Sequence, residues 1–208
     1  MDIKNFPKVT VILRGYDYSQ IRTVVKCLLG TKLKAVEITM NTPDAAYVIG
    51  KINREFGNSI KVGAGTVTTY DQAESVIKEG ASFVLSPVML SREIIDLCRK
   101  NNVISVPAAF SPTEIKTMLD CKADIIKVFP ASRLGPKYIS DVQAPLGKIP
   151  IMVVGGINSE NVNEYFKAGA QFAGIGSGIF NKEDILNENE EGLKASIKYF
   201  ETKLDKHD

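Results

Sequence analysis

The chain has 208 residues, 44% hydrophobic and 24% charged, the make-up of a globular protein able to bury roughly 70% of the surface its unfolded form exposes. Its formal net charge of +2 is near balance, which argues against nucleic acid or an anionic membrane as partner, and no window nears the roughly 18 apolar residues of a membrane span. The single histidine, His207, sits in the polar tail, which excludes histidine-based metal sites and a Ser-His-Asp triad and leaves carboxylates, lysines and hydroxyls for any chemistry.

Met1–Pro7 carries no apolar run of signal-peptide length, and Cys27, Cys98 and Cys121 are odd in number and far apart. A reducing, cytoplasmic setting is the expectation. No Ser/Pro-rich spacer breaks the pattern, so residues 1–208 are expected to form one domain.

In chain order, Val9–Arg14 reads as a β-branched strand, followed by a helix from an N-cap Ser19 to Gly30. The alternation recurs with a strand Lys34–Thr39, a helix opened by Thr42-Pro43 and running to Phe56, a strand Ile60–Ala64 and a helix Thr69–Glu79. Next come a strand Ser82–Leu85, a helix Ser91–Lys100, a strand Val103–Val106 and a helix from Ser111-Pro112 to Asp120. The apolar run Ala123–Pro130 is the sixth strand, followed by a helix Pro136–Val142, a strand Ile149–Val154, a helix Asn158–Lys167, a strand Phe172–Ile175 and a long polar helix Lys182–Leu204. Strand-then-helix alternation means a parallel sheet, and eight units of similar length close into a single-domain (β/α)8 barrel. An open doubly wound sheet is the competing architecture.

In a barrel, function gathers at the carboxyl ends of the strands. Those ends carry Arg14, Glu37 with Thr39, the run Gly63–Thr66, Ser86-Pro87, Pro107, Lys127, Gly155-Gly156 and Gly176-Ser177-Gly178. Lys127 and Glu37 stand out because each lies inside an apolar strand. Burial favours the neutral amine, a nucleophile toward carbonyl carbon, although a lysine at a strand end can also snorkel to solvent. Glu37 in the same mouth would be a base beside that nucleophile, or one half of a buried salt bridge. Thr66 is a turn residue or a hydroxyl donor. The two glycine loops permit tight turns or cradle an anion on backbone N–H groups, with Arg14 adding positive charge.

The segments Val11–Arg14, Val36–Pro43, Val62–Val67, Ile126–Ala131, Val154–Ile157 and Gly174–Ser177 together resemble the class I 2-keto-3-deoxy-6-phosphogluconate / 4-hydroxy-2-oxoglutarate aldolases over essentially the whole chain. The resemblance implies Lys127 as the Schiff-base lysine, Glu37 as general acid/base and Thr66 near the bound keto acid, with Pro87 and Gly176 also expected among the substrate-binding residues. It further implies Arg14, Gly155, Gly156 and Ser177 around a phosphate, no cofactor or metal, and a homotrimer. Two positions depart from the commonest family pattern, Asn41 where an arginine is usual and Val154 where a threonine is usual. Both look more like the 6-phosphogalactonate branch. The expected reaction is cleavage of a 2-keto-3-deoxy-6-phospho sugar acid to pyruvate and glyceraldehyde 3-phosphate. Activity on 4-hydroxy-2-oxoglutarate, a phosphate-binding isomerase or epimerase, and a non-catalytic phosphosugar-binding barrel are the alternatives.

Overall fold

The computed structural model describes residues 3–204, so His207 lies outside them. Nine parallel strand segments form one sheet: β1 (Val9–Leu13), β2 (Ala35–Thr39), β3 (Lys61–Gly65), β4 (Phe83–Leu85), β5 (Ile104–Val106), β6 (Ala108–Ala109), β7 (Ile126–Val128), β8 (Ile151–Val154) and β9 (Phe172–Ile175). In ladder order β5 and β6 are the two ends, yet only Pro107 separates them in the chain. Proline has no N–H to give a ladder, which is why the strand is interrupted there. Its carbonyl still accepts from the Lys127 N–H at 2.9 Å, while Val106 accepts from the Ser86 N–H at 3.2 Å. Residues 104–109 are therefore one barrel strand, bonded to β4 on one edge and β7 on the other. The sheet closes on itself, and the open doubly wound alternative is overturned.

Strand alternation sorts the apolar residues into two layers. One set, including Phe83, Leu85, Ile104, Val106, Ile125, Met152 and Phe172, fills the barrel interior. The opposite faces, with Val11, Leu13, Val36, Ile38, Val62 and Val153, pack against the helices. Phe6 closes the amino-terminal end of the interior, its ring edge-to-face with Phe83 at 5.2 Å and Phe172 at 5.6 Å. Each such buried aromatic or aliphatic side chain contributes roughly 1.5–3 kcal/mol of transfer free energy.

The helices differ from expectation mainly at their ends. α1 (Tyr18–Leu28) is capped by Asp17, not Ser19: the Asp17 carboxylate accepts from the Gln20 N–H and the Gln20 side chain returns the bond. α2 (Ala45–Phe56) begins after a left-handed Asp44, leaving Thr42 free for another role. α3 (Tyr70–Lys78), α4 (Arg92–Lys100) and α5 (Pro112–Asp120) take Thr69, Ser91 and Ser111 as caps. α6 (Pro136–Leu146) outruns its expected end despite Pro145, and α7 (Val162–Lys167) starts later than Asn158. The long final helix is two, α8 (Lys182–Leu186) and α9 (Glu190–Lys203), because Glu188 turns left-handed at φ 51° and Asn189 caps the second.

Candidate active site

Along β2, alternation sends Ala35 and Glu37 into the barrel; along the β7 segment it sends Ile125, Lys127 and Phe129 inward. Glu37 fits because β3 presents glycines opposite it. It pairs in register with Gly63, and a Cβ on Gly65 would stand 1.5 Å from Glu37 Oε1. A Cβ on Gly63 would meet the Phe83 ring at 2.3 Å. The Gly-Ala-Gly run is therefore part of the strand rather than only a turn, and its glycines are the space that the carboxylate and the ring occupy.

Glu37 is 1% exposed, and its Oε2 has no hydrogen-bond partner among the described residues. Burial pushes its carboxyl above the ordinary carboxylate range, with the charges of Lys127 and Arg14 opposing the shift. Lys127 is 5% exposed, with Nζ 5.0 Å from the Phe129 ring centroid. Burial pulls its pKa down; Glu37 resists that fall and the Arg14 charge adds to it. Both members of the pair are shifted toward their neutral forms, which favours the nucleophilic form of the amine and makes the carboxylate a stronger proton acceptor than an exposed one.

Above this pair, at the carboxyl ends of β1, β8 and β9, a cavity of about 580 Å³ is lined by Arg14, Val154, Gly155, Gly156, Gly176 and Ser177, together with Asn158 and Lys182. Gly155 and Gly156 have φ of 93° and 73°, a left-handed geometry that side chains resist, and a Cβ on Gly156 would strike Ser132 Oγ at 2.4 Å. Successive backbone groups in such a conformation make an anion-binding concavity. Phe129 joins the two parts of the site, since its ring lies 3.2 Å from where a Gly155 Cβ would sit. A larger cavity of about 1190 Å³ lies at the amino-terminal end between Phe6 and Leu204. It lies at the strand starts, whereas barrel chemistry belongs to the opposite face, at the carboxyl ends of the strands.

Six of the nine expected binding residues share the smaller cavity. The other three, Asn41, Thr66 and Pro87, follow β2, β3 and β4 on the same rim but outside its lining. Thr66 is half-buried with φ 58°, a strained backbone for a β-branched residue. Sequence reasoning missed Thr42 and Lys182. Thr42 is buried; its Oγ1 accepts from the Gly15 N–H at 2.9 Å and lies 3.3 Å from Thr39 Oγ1, tying the Arg14 loop to the Asn41 loop. The signal was the pair of threonines bracketing Met40-Asn41, which the helix-opening reading of Thr42-Pro43 absorbed. Among the described residues no group of three or more His, Cys, Asp and Glu is placed to hold a metal, and no helix is long and apolar enough to cross a membrane.

Fold and site define a parallel (β/α)8 barrel enzyme with a buried lysine–carboxylate pair beneath a cationic, glycine-lined cavity. Residues 2–195 match the family described as "KDPG and KHG aldolase", and the chain belongs to that family. It is 29% identical to the 2-dehydro-3-deoxy-6-phosphogalactonate aldolase of Escherichia coli strain K12 over 190 residues, 91% of this chain and 92% of that protein. It is 33% identical to a probable 2-dehydro-3-deoxy-6-phosphogalactonate aldolase of Rhizobium meliloti over 170 residues, 81% of this chain and 80% of that one. Among solved structures, a KDPG aldolase from Legionella pneumophila with pyruvate captured as a covalent carbinolamine superimposes with a TM-score of 0.84 at 25% identity, covering 93% of this chain and 94% of that one.

Proposed function

We propose that the chain is a class I aldolase that cleaves a 2-keto-3-deoxy-6-phospho sugar acid, of the galactonate type, to pyruvate and glyceraldehyde 3-phosphate. The observation that carries this reading is Lys127, buried in the barrel interior, pushed toward its neutral amine and coupled to the equally buried Glu37. The pyruvate carbinolamine of the Legionella relative supports it.

Lys127 Nζ adds to the C2 carbonyl carbon to give a carbinolamine, which loses water to become a protonated imine. Glu37, directly or through a water, takes the C4 hydroxyl proton; the C3–C4 electron pair moves into the iminium, and glyceraldehyde 3-phosphate departs from an enamine of pyruvate. Protonation at C3 and addition of water release pyruvate and return the free amine. Arg14, Gly155, Gly156, Gly176 and Ser177 hold the phosphate, and that remote binding energy positions the reacting carbons. Thr66 and Pro87 border the keto acid. Asn41 donates hydrogen bonds to its carboxylate without the charge of a guanidinium. Val154 presents a methyl where a hydroxyl would favour the other C4 epimer. Residues 1–208 act as one domain, in the cytoplasm, as a homotrimer, without cofactor or metal.

Borohydride reduction in the presence of pyruvate tests the mechanism. Wild-type protein should gain a pyruvate-derived mass on Lys127, and Lys127→Ala none. An unchanged intact mass of the wild type sinks the Schiff-base step. Epimerase turnover retained in Lys127→Ala would point to an isomerase, and phosphosugar binding with no turnover to a sensor. Comparing cleavage of the two C4 epimers tests the galactonate assignment, and a strong preference for the gluconate epimer overturns the roles given to Asn41 and Val154.

A further inference from the structure

The cavity above Lys127 has two cationic side chains in its lining, Arg14 and Lys182, and no carboxylate among its described lining residues. A phosphate monoester carries about −1.5 to −2 charges near neutral pH, so Arg14 alone leaves roughly half of that charge unmatched. We infer that Lys182 is the second cation of this cup and sets the preference for substrates ending in a dianionic phosphate; the inference rests on the phosphate reading given above.

Lys182 is placed by more than proximity. It is the first residue of α8, capped by Asn181, whose side chain accepts from the Glu183 N–H. Residues three apart lie on one helix face, and Ile185, three residues on, is buried and lines the same cavity. Phe180, buried on the other side of Lys182, lines it too. The backbone at Lys182 is thus fixed between two buried apolar residues, and its side chain is exposed at the cavity rim. The end of α8 is tied to α1 by a 3.3 Å bond from Gln20 Nε2 to the Leu186 carbonyl, and α1 starts just after the Arg14 loop. Of the two carboxylates that follow it, Asp184 is engaged by the Asn189 side chain at 2.7 Å, and neither Asp184 nor the exposed Glu183 lines the cavity. A lysine is a mobile point charge, suited to a tetrahedral dianion approached from solvent rather than to a planar carboxylate.

The test compares kcat/KM for the phosphorylated substrate with that for the same keto acid lacking phosphate, in wild type, Lys182→Gln and Lys182→Arg. Loss of one charge-assisted contact should lower the ratio of the two by about tenfold in Lys182→Gln, through KM for the phosphorylated substrate, and arginine should restore most of it. Inorganic phosphate, used as a competitive inhibitor, should weaken in parallel. An unchanged ratio in Lys182→Gln, or equal loss on both substrates, overturns the inference. A wild-type enzyme that does not prefer the phosphorylated substrate overturns the phosphate reading itself, an outcome visible before any variant is made.

Discussion

Alanine at position 65 would strike the site where its geometry is tightest. The added Cβ would lie 1.5 Å from Glu37 Oε1, 2.3 Å from Cδ and 2.6 Å from Cγ. Glu37 is 1% exposed and cannot swing into solvent, so its carboxylate must be driven off its position. Overpacking of this kind costs about 1–3 kcal/mol, equivalent to roughly 2–12 °C in Tm for a chain of this size. The catalytic loss should be larger, about 10²- to 10⁴-fold in kcat, because a displaced general base gives up both proximity and proton transfer. Gly63→Ala is the control, since its Cβ meets the Phe83 ring at 2.3 Å rather than Glu37. Steady-state cleavage rates, melting curves and borohydride trapping of pyruvate would be recorded for both variants. Gly65→Ala should melt lower, still trap pyruvate on Lys127 and cleave poorly, while Gly63→Ala pays a similar stability cost and keeps much more of its kcat. A folded Gly65→Ala with wild-type kcat, or equal catalytic loss in both variants, would refute the account of Glu37.

Further outcomes follow from the same geometry. Thr42→Val removes the acceptor of the Gly15 N–H, so the Arg14 loop should loosen; we expect about 1 kcal/mol lost in denaturant unfolding and a several-fold higher KM for the phosphorylated substrate. The Lys127 pKa lies below its ordinary 10.5, so between the lowered value and 10.5 the unfolded chain binds more protons than the folded one, and stability rises with pH through that window. Lys127→Met should abolish this rise in pH-resolved unfolding, and the rate of pyruvate trapping by wild type should climb to a midpoint below 10.5; a midpoint at the ordinary value would contradict the buried-amine argument. Val154 is 5% exposed and lines the cavity, so the isosteric Val154→Thr should shift the kcat/KM ratio between the two C4 epimers toward the gluconate form by about tenfold.

Much of the barrel was legible because its signals are local. Period-2 alternation along Ala35–Thr39 and Ile125–Phe129 put Glu37 and Lys127 on the inward faces, and the structure keeps them there. Polar, Gly and Pro residues at successive strand ends marked the functional rim, and Arg14, Val154, Gly155, Gly156, Gly176 and Ser177 share one cavity as expected. The helix starts were harder. Asp17 and Ser19 both suit an N-cap, and the choice depends on which backbone N–H groups the entering chain presents; the Asp17–Gln20 capping box decides it. The break at Glu188 inside an apparently continuous polar helix escaped notice because no proline or glycine marks it.

The sequence by itself determined the eight strand-and-helix units, the inward pair Glu37 and Lys127, and the glycine loops at the seventh and eighth strand ends, since each depends on side-chain periodicity or backbone permissiveness within a few residues. Only the tertiary structure decided what depends on contacts across the ring. Pro107 carries the strand that closes the barrel, bonded to β4 and β7 at once. Gly65 is glycine because of a carboxylate 28 positions away in the chain. Lys182 reaches the cavity because α8 turns Ile185 inward and Phe180, just before the helix, is buried beside it, a packing choice that no local pattern in residues 180–186 records.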